Sequence, residues 1–163
     1  MLSEKLLNTL NDQLNYEFES ANIYLAMSAY CLAQDFDGFA HFFRMQAEEE
    51  KNHAMKFFDF INDKGGKITI KGTSNPNNEF RSIVDVFEKA YEHEQDITKR
   101  IYIVTDIAIE EKEHATVSFL KWFHDEQVEE EATFDSLVKK IRLASENNAA
   151  LLMLDANLGQ RKK

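Results

Sequence analysis

FAHFFRMQAEEEKNHAMKFFDF, residues 39–60, reads at steps of three and four as Phe39, Phe43, Gln46, Glu50, His53, Phe57 and Phe60. That period is one stripe of an α-helix. Phenylalanine walls the stripe at both ends, so it is built to face a core, yet Glu50 and His53 stand one turn apart in its middle. An inward Glu-x-x-His pair in an aromatic core needs something to satisfy it.

The same period extends helical structure to both sides. It predicts α1 at about residues 4–34, α2 at about 37–64, α3 at about 82–111, α4 at about 114–143 and a short α5 at about 147–158, before a tail at 159–163. Ser3 and Asp37 read as N-caps, and Lys64 before Gly65-Gly66 reads as a helix stop. Short turns near 35–37 and 112–114 make α1/α2 and α3/α4 antiparallel hairpins. Residues 65–81, with Gly72 and Pro76, are long enough to cross a bundle's length between the hairpins. Within that connection Lys67 to Lys71 alternate around Ile68 and Ile70, a short extended piece open to pairing with a second chain. One Pro and five Gly leave too few turn formers for a sandwich or barrel. The expected fold is all-α: one domain over 1–163, a four-helix bundle with one long crossover and a fifth short helix.

Every long helix breaks its apolar stripe once. Glu17 interrupts Leu10, Leu14, Ala21 and Tyr24 on α1; Glu94 interrupts Phe87, Tyr91 and Ile101 on α3; Gln127 and Glu130 interrupt Leu120, Phe123, Phe134 and Leu137 on α4. The hairpins superpose at an offset of 77 residues, pairing Leu10 with Phe87 and Phe57 with Phe134. Measured from turns at 36 and 113, Glu17 lies 19 residues away and Glu50 and His53 lie 14 and 17; Glu94, Gln127 and Glu130 repeat those separations. At about 1.5 Å per residue the spread is roughly 7 Å, so the six side chains can converge on one site. Four buried carboxylates with no Lys or Arg on their stripes would cost several kcal/mol each if ionised and unpaired. Two divalent cations cancel that charge, and carboxylates with one imidazole suit iron or manganese.

Composition narrows the partners. With 29 acidic and 19 basic side chains the net charge is −10, which repels nucleic acid and anionic membrane surfaces. The basic ending Arg161, Lys162 and Lys163 reads as a solvated tail. Cys31 is the sole cysteine, so neither an internal disulfide nor a four-cysteine metal site exists, and a cytoplasmic location fits.

These residues resemble the bacterial non-haem ferritins along the whole chain, from Glu17 through Glu50-x-x-His53, Tyr91-Glu92-His93-Glu94-Gln95 and Phe119-Leu120-Lys121-Trp122-Phe123 to Glu126-Gln127-x-Glu129-Glu130-Glu131. The resemblance implies a ferritin-like bundle and a ferroxidase that oxidises Fe(II) with O2 or H2O2 and stores Fe(III) as a mineral in a shell of twenty-four copies. It further implies that Glu17, Glu50 and His53 hold a first iron, with Glu50 bridging to a second held by Glu94 and Glu130. Gln127 would sit beside the second iron and Tyr24 would be the neighbouring tyrosine. A third, labile site would use Glu49, Glu126 and Glu129 and share Glu130. The haem-containing relatives carry Glu-x-x-His on α4 and a methionine after the α2 glutamate; Gln127-x-x-Glu130 and Lys51 stand here, so haem is not expected.

Other candidates have plainer readings. Glu111-x-x-His114 falls at a turn, as a surface pair or pore lining. His41, His93 and His124 lie off the stripes, facing solvent or other copies, while Trp122 is a packing aromatic and Cys31 a small core residue. The apolar α5 (Leu151, Leu152, Met153, Leu154, Leu158) is expected to pack against other copies. A dimetal peroxidase or manganese catalase could use the same ligands, and a buried polar layer that only fixes helix register is the non-enzymatic alternative.

Overall fold

Five helices follow in the expected order in the computed structural model, which describes residues 1–162: α1 Glu4–Ala33, α2 Asp37–Asp63, α3 Ile83–Glu110, α4 His114–Ala144 and α5 Asn148–Leu158. Among the described residues there is no strand. Ser3 caps α1 by accepting from the Leu6 N–H, as its position suggested; Ser82, Glu113 and Asn147 do the same for α3, α4 and α5. Asp37 corrects the reading of the sequence: Phe36 is the N-cap, without a side-chain bond, and Asp37 is the first helical residue. There its charge still suits the positive end of the helix.

Both hairpin turns use a residue in the left-handed region, Asp35 at φ 61° and Lys112 at φ 56°. These two positions are also 77 apart, so the repeat extends to its turns. Gly65 ends α2 with φ 69°, where a β-carbon would be strained. The crossover is extended over 67–71, but its backbone partners belong to α1 rather than to a strand. Asn11 donates to the Lys67 carbonyl and accepts from the Thr69 N–H, and Asn15 donates to the Thr69 carbonyl and accepts from the Lys71 N–H, at 2.7–3.0 Å. Two asparagines one turn apart thus do for the crossover what a neighbouring strand would do.

The apolar core is split in two. One cluster joins Tyr24, Met27, Phe39, Phe43, Phe87, Phe134 and Ile141 with Leu151 of α5. The other joins Leu6, Leu10, Leu14, Phe57, Ile61, Ile97, Ile101, Leu120 and Phe123. Glu17, Glu50, His53, Glu94, Gln127 and Glu130 fall in sequence between these clusters on every helix, all buried. The helix α5 turns Leu151, Leu154 and Leu158 onto its own bundle and leaves Leu152 and Met153 exposed, so only part of its apolar surface is available to another copy. Its approach to α2 is close. A β-carbon on Gly38 would lie 1.7 Å from the Asp155 carbonyl oxygen, while the Asp155 carboxylate accepts from the Phe39 N–H at 2.8 Å.

The tail also differs from its reading as solvated. Arg161 packs its guanidinium 4.6 Å from the Phe42 ring centre and bonds to α2. Lys162 is exposed, and Lys163 lies outside the described residues.

Candidate metal centre

Helix α1 supplies Glu17 and α2 supplies Glu50 and His53, and one ligand atom from each lies within 4.8 Å of the other two. All three are buried. His53 Nδ1 is 3.2 Å from Glu50 Oε2, and its ring meets Trp122 and Phe123 edge-on, so aromatic walls fix the imidazole. Gln13 donates to Glu17 Oε1 at 2.7 Å. Glu17 Oε2 and Glu50 Oε1 are buried and receive no hydrogen bond from any amide, hydroxyl or cationic group, so in the metal-free protein only a proton shared between the two carboxyls can serve them. Two orphaned carboxylate oxygens beside an imidazole are what an oxygen-loving cation would satisfy.

The opposite hairpin carries Glu94, Gln127 and Glu130, and both Glu94 oxygens and one Glu130 oxygen accept side-chain hydrogen bonds. Tyr24 donates a short hydrogen bond to Glu94 Oε1. Gln127 Nε2 lies 3.1 Å from Glu94 Oε2, and Gln46 donates to Glu130 Oε2 at 2.8 Å. Tyr24 itself stacks between Phe43 and Phe134, which aims its hydroxyl into the polar layer.

Burial and crowding of like charge set the protonation of the metal-free site. Burial holds the Glu17 and Glu50 carboxyls well above the usual range, and their neighbours Glu50 and Glu94, respectively, push them further. Glu94 is raised to about 7 by burial, with the Tyr24 and Gln127 bonds pulling it back, and Glu130 is raised to about 9 by burial and then by Glu94. Burial and the Glu94 charge also raise the Tyr24 hydroxyl well above its usual range. Without a cation, the layer holds more protons than exposed carboxyls would, Glu94 giving up its proton before Glu130, and the carboxyls become ligands as protons leave.

The ferritin-like domain family matches residues 7–144 of this chain. The chain belongs to the ferritin family. It is 42% identical over 161 residues to the bacterial non-heme ferritins of Staphylococcus aureus (strain MRSA252) and Staphylococcus haemolyticus (strain JCSC1435), over 99% of this chain and 97% of each relative. Among solved structures, the open pore ferritin of the hyperthermophilic archaeon Archaeoglobus fulgidus superposes with a TM-score of 0.98 at 42% identity, covering 99% of this chain and all of that one.

Within this ferritin the remaining candidates separate. Glu49 and Glu126 are half-buried and Glu129 is exposed. They are near enough for Glu49 and Glu129 to act electrostatically on Glu126, whose carboxyl burial raises. They are not gathered within one ion's reach, the Glu17, Glu50 and His53 group being the one such cluster among the described residues. Glu111 and His114 are exposed, and Glu111 accepts from the Ser3 hydroxyl.

His93 overturns its reading as a solvent-facing or interfacial residue. It is buried between α3 and α1, 2.9 Å from the Ser20 hydroxyl and 3.5 Å from Tyr16, and burial lowers its pKa to about 4, keeping it neutral. Tyr16 and His93 are equivalent under the 77-residue offset, so the repeat axis brings them together. His41 and His124 are half-buried, bonded to the Arg161 carbonyl and the Thr105 hydroxyl. Trp122 is 40% exposed and carries Lys56 over its ring, a packing aromatic with an open edge.

Two residues that contact the site carry signals the sequence reading did not use. Gln13 precedes Glu17 by one turn, and Gln46 stands on the α2 stripe itself. Each gives its amide N–H to a buried glutamate and its carbonyl to an arginine: Arg100 Nε to Gln13 Oε1 at 3.1 Å, and Arg161 Nη1 to Gln46 Oε1 at 2.9 Å. Arginine only donates, so it fixes which end of each amide faces the carboxylate.

Proposed function

We propose that this ferritin is an iron-storage ferroxidase whose substrate is Fe(II). The observation that carries the proposal is the pair of donor-less buried oxygens, Glu17 Oε2 and Glu50 Oε1, held beside His53. On this reading Glu17, Glu50 and His53 bind the first Fe(II), and Glu50 bridges to a second held by Glu94 and Glu130, with Gln127 and Tyr24 alongside. Each Fe(II) gives up one electron, so two ions supply the pair that reduces O2 to H2O2, or H2O2 to water. The carboxylates release their protons as the cations bind, which keeps the buried layer near neutral. Phenylalanine clusters above and below exclude bulk water. Glu49, Glu126 and Glu129, sharing Glu130, would draw together around an ion as an outer and weaker station through which Fe(III) passes to storage as a mineral. Storage takes place in a shell of twenty-four copies in the cytoplasm. The metal is iron, bound as substrate and cargo, and no haem is involved.

Purified protein loaded aerobically with a few hundred Fe(II) per shell and run on size exclusion tests this directly. Ferric iron co-eluting with a large soluble particle is expected. A dimetal peroxidase or catalase would instead turn over H2O2 without retaining iron, and precipitation of all the iron outside the protein would overturn the storage reading.

A further inference from the structure

The C-terminal tail places a positive charge where the outer acidic residues would take metal. Arg161 follows α5 and runs back along α2, its carbonyl 2.7 Å from His41 Nε2, which must carry the proton because a carbonyl only accepts. Its guanidinium then divides three ways. Nη1 donates to the Phe42 carbonyl at 3.3 Å and to Gln46 Oε1 at 2.9 Å, and Nη2 lies 2.7 Å from Glu49 Oε2.

The contact with Glu49 is close but poorly aligned. Glu49 Oε2 is sheltered from solvent and receives no directed hydrogen bond, so charge alone holds it to the arginine. The bond to Gln46 is well directed and continues inward, because Gln46 passes its amide N–H to Glu130 Oε2 at 2.8 Å. One side chain therefore touches an outer carboxylate directly and a deep carboxylate through a single amide. Around it stand Gln46 and Glu49 on α2 and the Phe42 ring, with Glu126 and Glu130 of α4 near enough to feel the Glu49 charge.

We propose that Arg161 is the resident cation of the outer station: it holds Glu49 in the metal-free protein, and an iron ion arriving there must displace it. This rests on Glu49, Glu126 and Glu129 forming that station. The displacement makes the station exchangeable. An acidic group with no internal cation would hold a ferric ion tightly, whereas one that takes back its arginine lets the ion move on. Through Gln46 the same guanidinium keeps an acceptor lone pair of Glu130 turned to the amide, leaving its other oxygen for metal.

Calorimetric titration with Zn(II), which needs no turnover, tests this on wild type, Arg161→Gln, Arg161→Lys, Glu49→Gln and the double variant Glu49→Gln/Arg161→Gln, each first checked for intact assembly and thermal midpoint. Arg161→Gln is expected to tighten the weakest Zn(II) site about tenfold, the scale of one partly screened charge contact. Arg161→Lys, which keeps the charge, stays nearer to wild type. Glu49→Gln weakens that site, and adding Arg161→Gln to it restores nothing, since the arginine acts by competing for Glu49. If Glu49→Gln weakens the site but Arg161→Gln leaves it unchanged, the outer station stands and the resident-cation proposal falls. If Arg161→Lys follows Arg161→Gln, the side chain acts by packing on Phe42 and the proposal falls as well. If Glu49→Gln changes no Zn(II) site in either background, the station itself is wrong and takes the proposal with it.

Discussion

The two hairpins share an architecture and differ in chemistry. Under the 77-residue offset Glu17 corresponds to Glu94, Glu50 to Gln127 and His53 to Glu130. In the α1/α2 half the ligand atoms are gathered within 4.8 Å and two carboxylate oxygens have no partner beyond the neighbouring carboxyl. In the α3/α4 half Glu94 answers to Tyr24 and Gln127, and Glu130 to Gln46. The first half offers open acceptor oxygens, while in the second all but one carboxylate oxygen is tied to a side-chain donor. Pseudosymmetry thus sets the two groups of side chains at matched positions, and on the proposed function two differences, His53 against Glu130 and Glu50 against Gln127, would make their metal affinities unequal. On that same function, the first Fe(II) would bind at α1/α2 and the second would have to displace protein donors.

That inequality is easiest to break at Glu50. Glu50→Ala should abolish both stations together, lowering the rate of Fe(II) oxidation at two ions per chain about a hundredfold or more, since even outer-shell partners of metal ligands are worth 10–100-fold. His53→Ala should weaken the α1/α2 station alone. Anaerobic Fe(II) titration followed by stopped-flow oxidation separates the two variants. If His53→Ala reduces both binding steps equally, the halves are one cooperative unit and the asymmetry is only apparent.

This asymmetry explains what was legible in the sequence. The fold followed from period alone, because stripes such as Leu6, Leu10 and Leu14 or Phe39 and Phe43 admit one inward face, and helix ends fell within a residue of their expected places. Glu17, Glu50 and His53 were legible for the same reason, as polar residues on apolar stripes. His93 was misread because it lies beside the α3 stripe rather than on it, and only the α1–α3 crossing buries it against Tyr16 and Ser20. Arg161 was misread because three basic residues after a last helix carry no period; the close approach at Gly38 that turns the tail back along α2 is a tertiary fact. Gln46 was visible as a position but not as a link, since its partners lie on α4 and in the tail.

Stability offers a smaller contrast between the halves. A cation bound only by the folded state should raise stability by about 2.7 kcal/mol at a hundredfold excess over Kd. Redox-inert Zn(II) in a thermal scan measures this without oxidation. Glu50→Ala with Glu130→Ala removes one buried carboxyl from each half, and is expected to cancel the Zn(II) increment. If the doubly substituted protein keeps the wild-type Zn(II) shift, the ions act elsewhere on the acidic surface.

The smallest effect is in pH, and its sign follows from where protons sit. Burial keeps the Glu130 proton on the folded, metal-free chain up to about 9, whereas an unfolded glutamate loses it near about 4.3. Between those values the folded state binds more protons, so stability is greatest at the acid end and falls as pH rises towards 9. Glu94, raised to about 7, adds the same slope lower in the range, and Glu17 and Glu50 share its direction. His93 opposes them at its own pH. Burial holds it neutral down to about 4 while an unfolded histidine takes a proton near about 6.5, so its contribution makes stability rise with pH between those values and then stop. The clean window is therefore pH 7 to 9. There the metal-free midpoint should fall with pH, by at most about 1.4 kcal/mol per unit for each proton retained. Glu130→Gln should flatten the fall by removing the α4 carboxyl, and saturating Zn(II) should flatten it further, because the bound cation has already displaced the protons. A wild-type midpoint that rises between pH 7 and 9, or a Glu130→Gln slope equal to wild type, would mean that the α3/α4 carboxyls are ionised before metal arrives and that their network of donors, not retained protons, neutralises them.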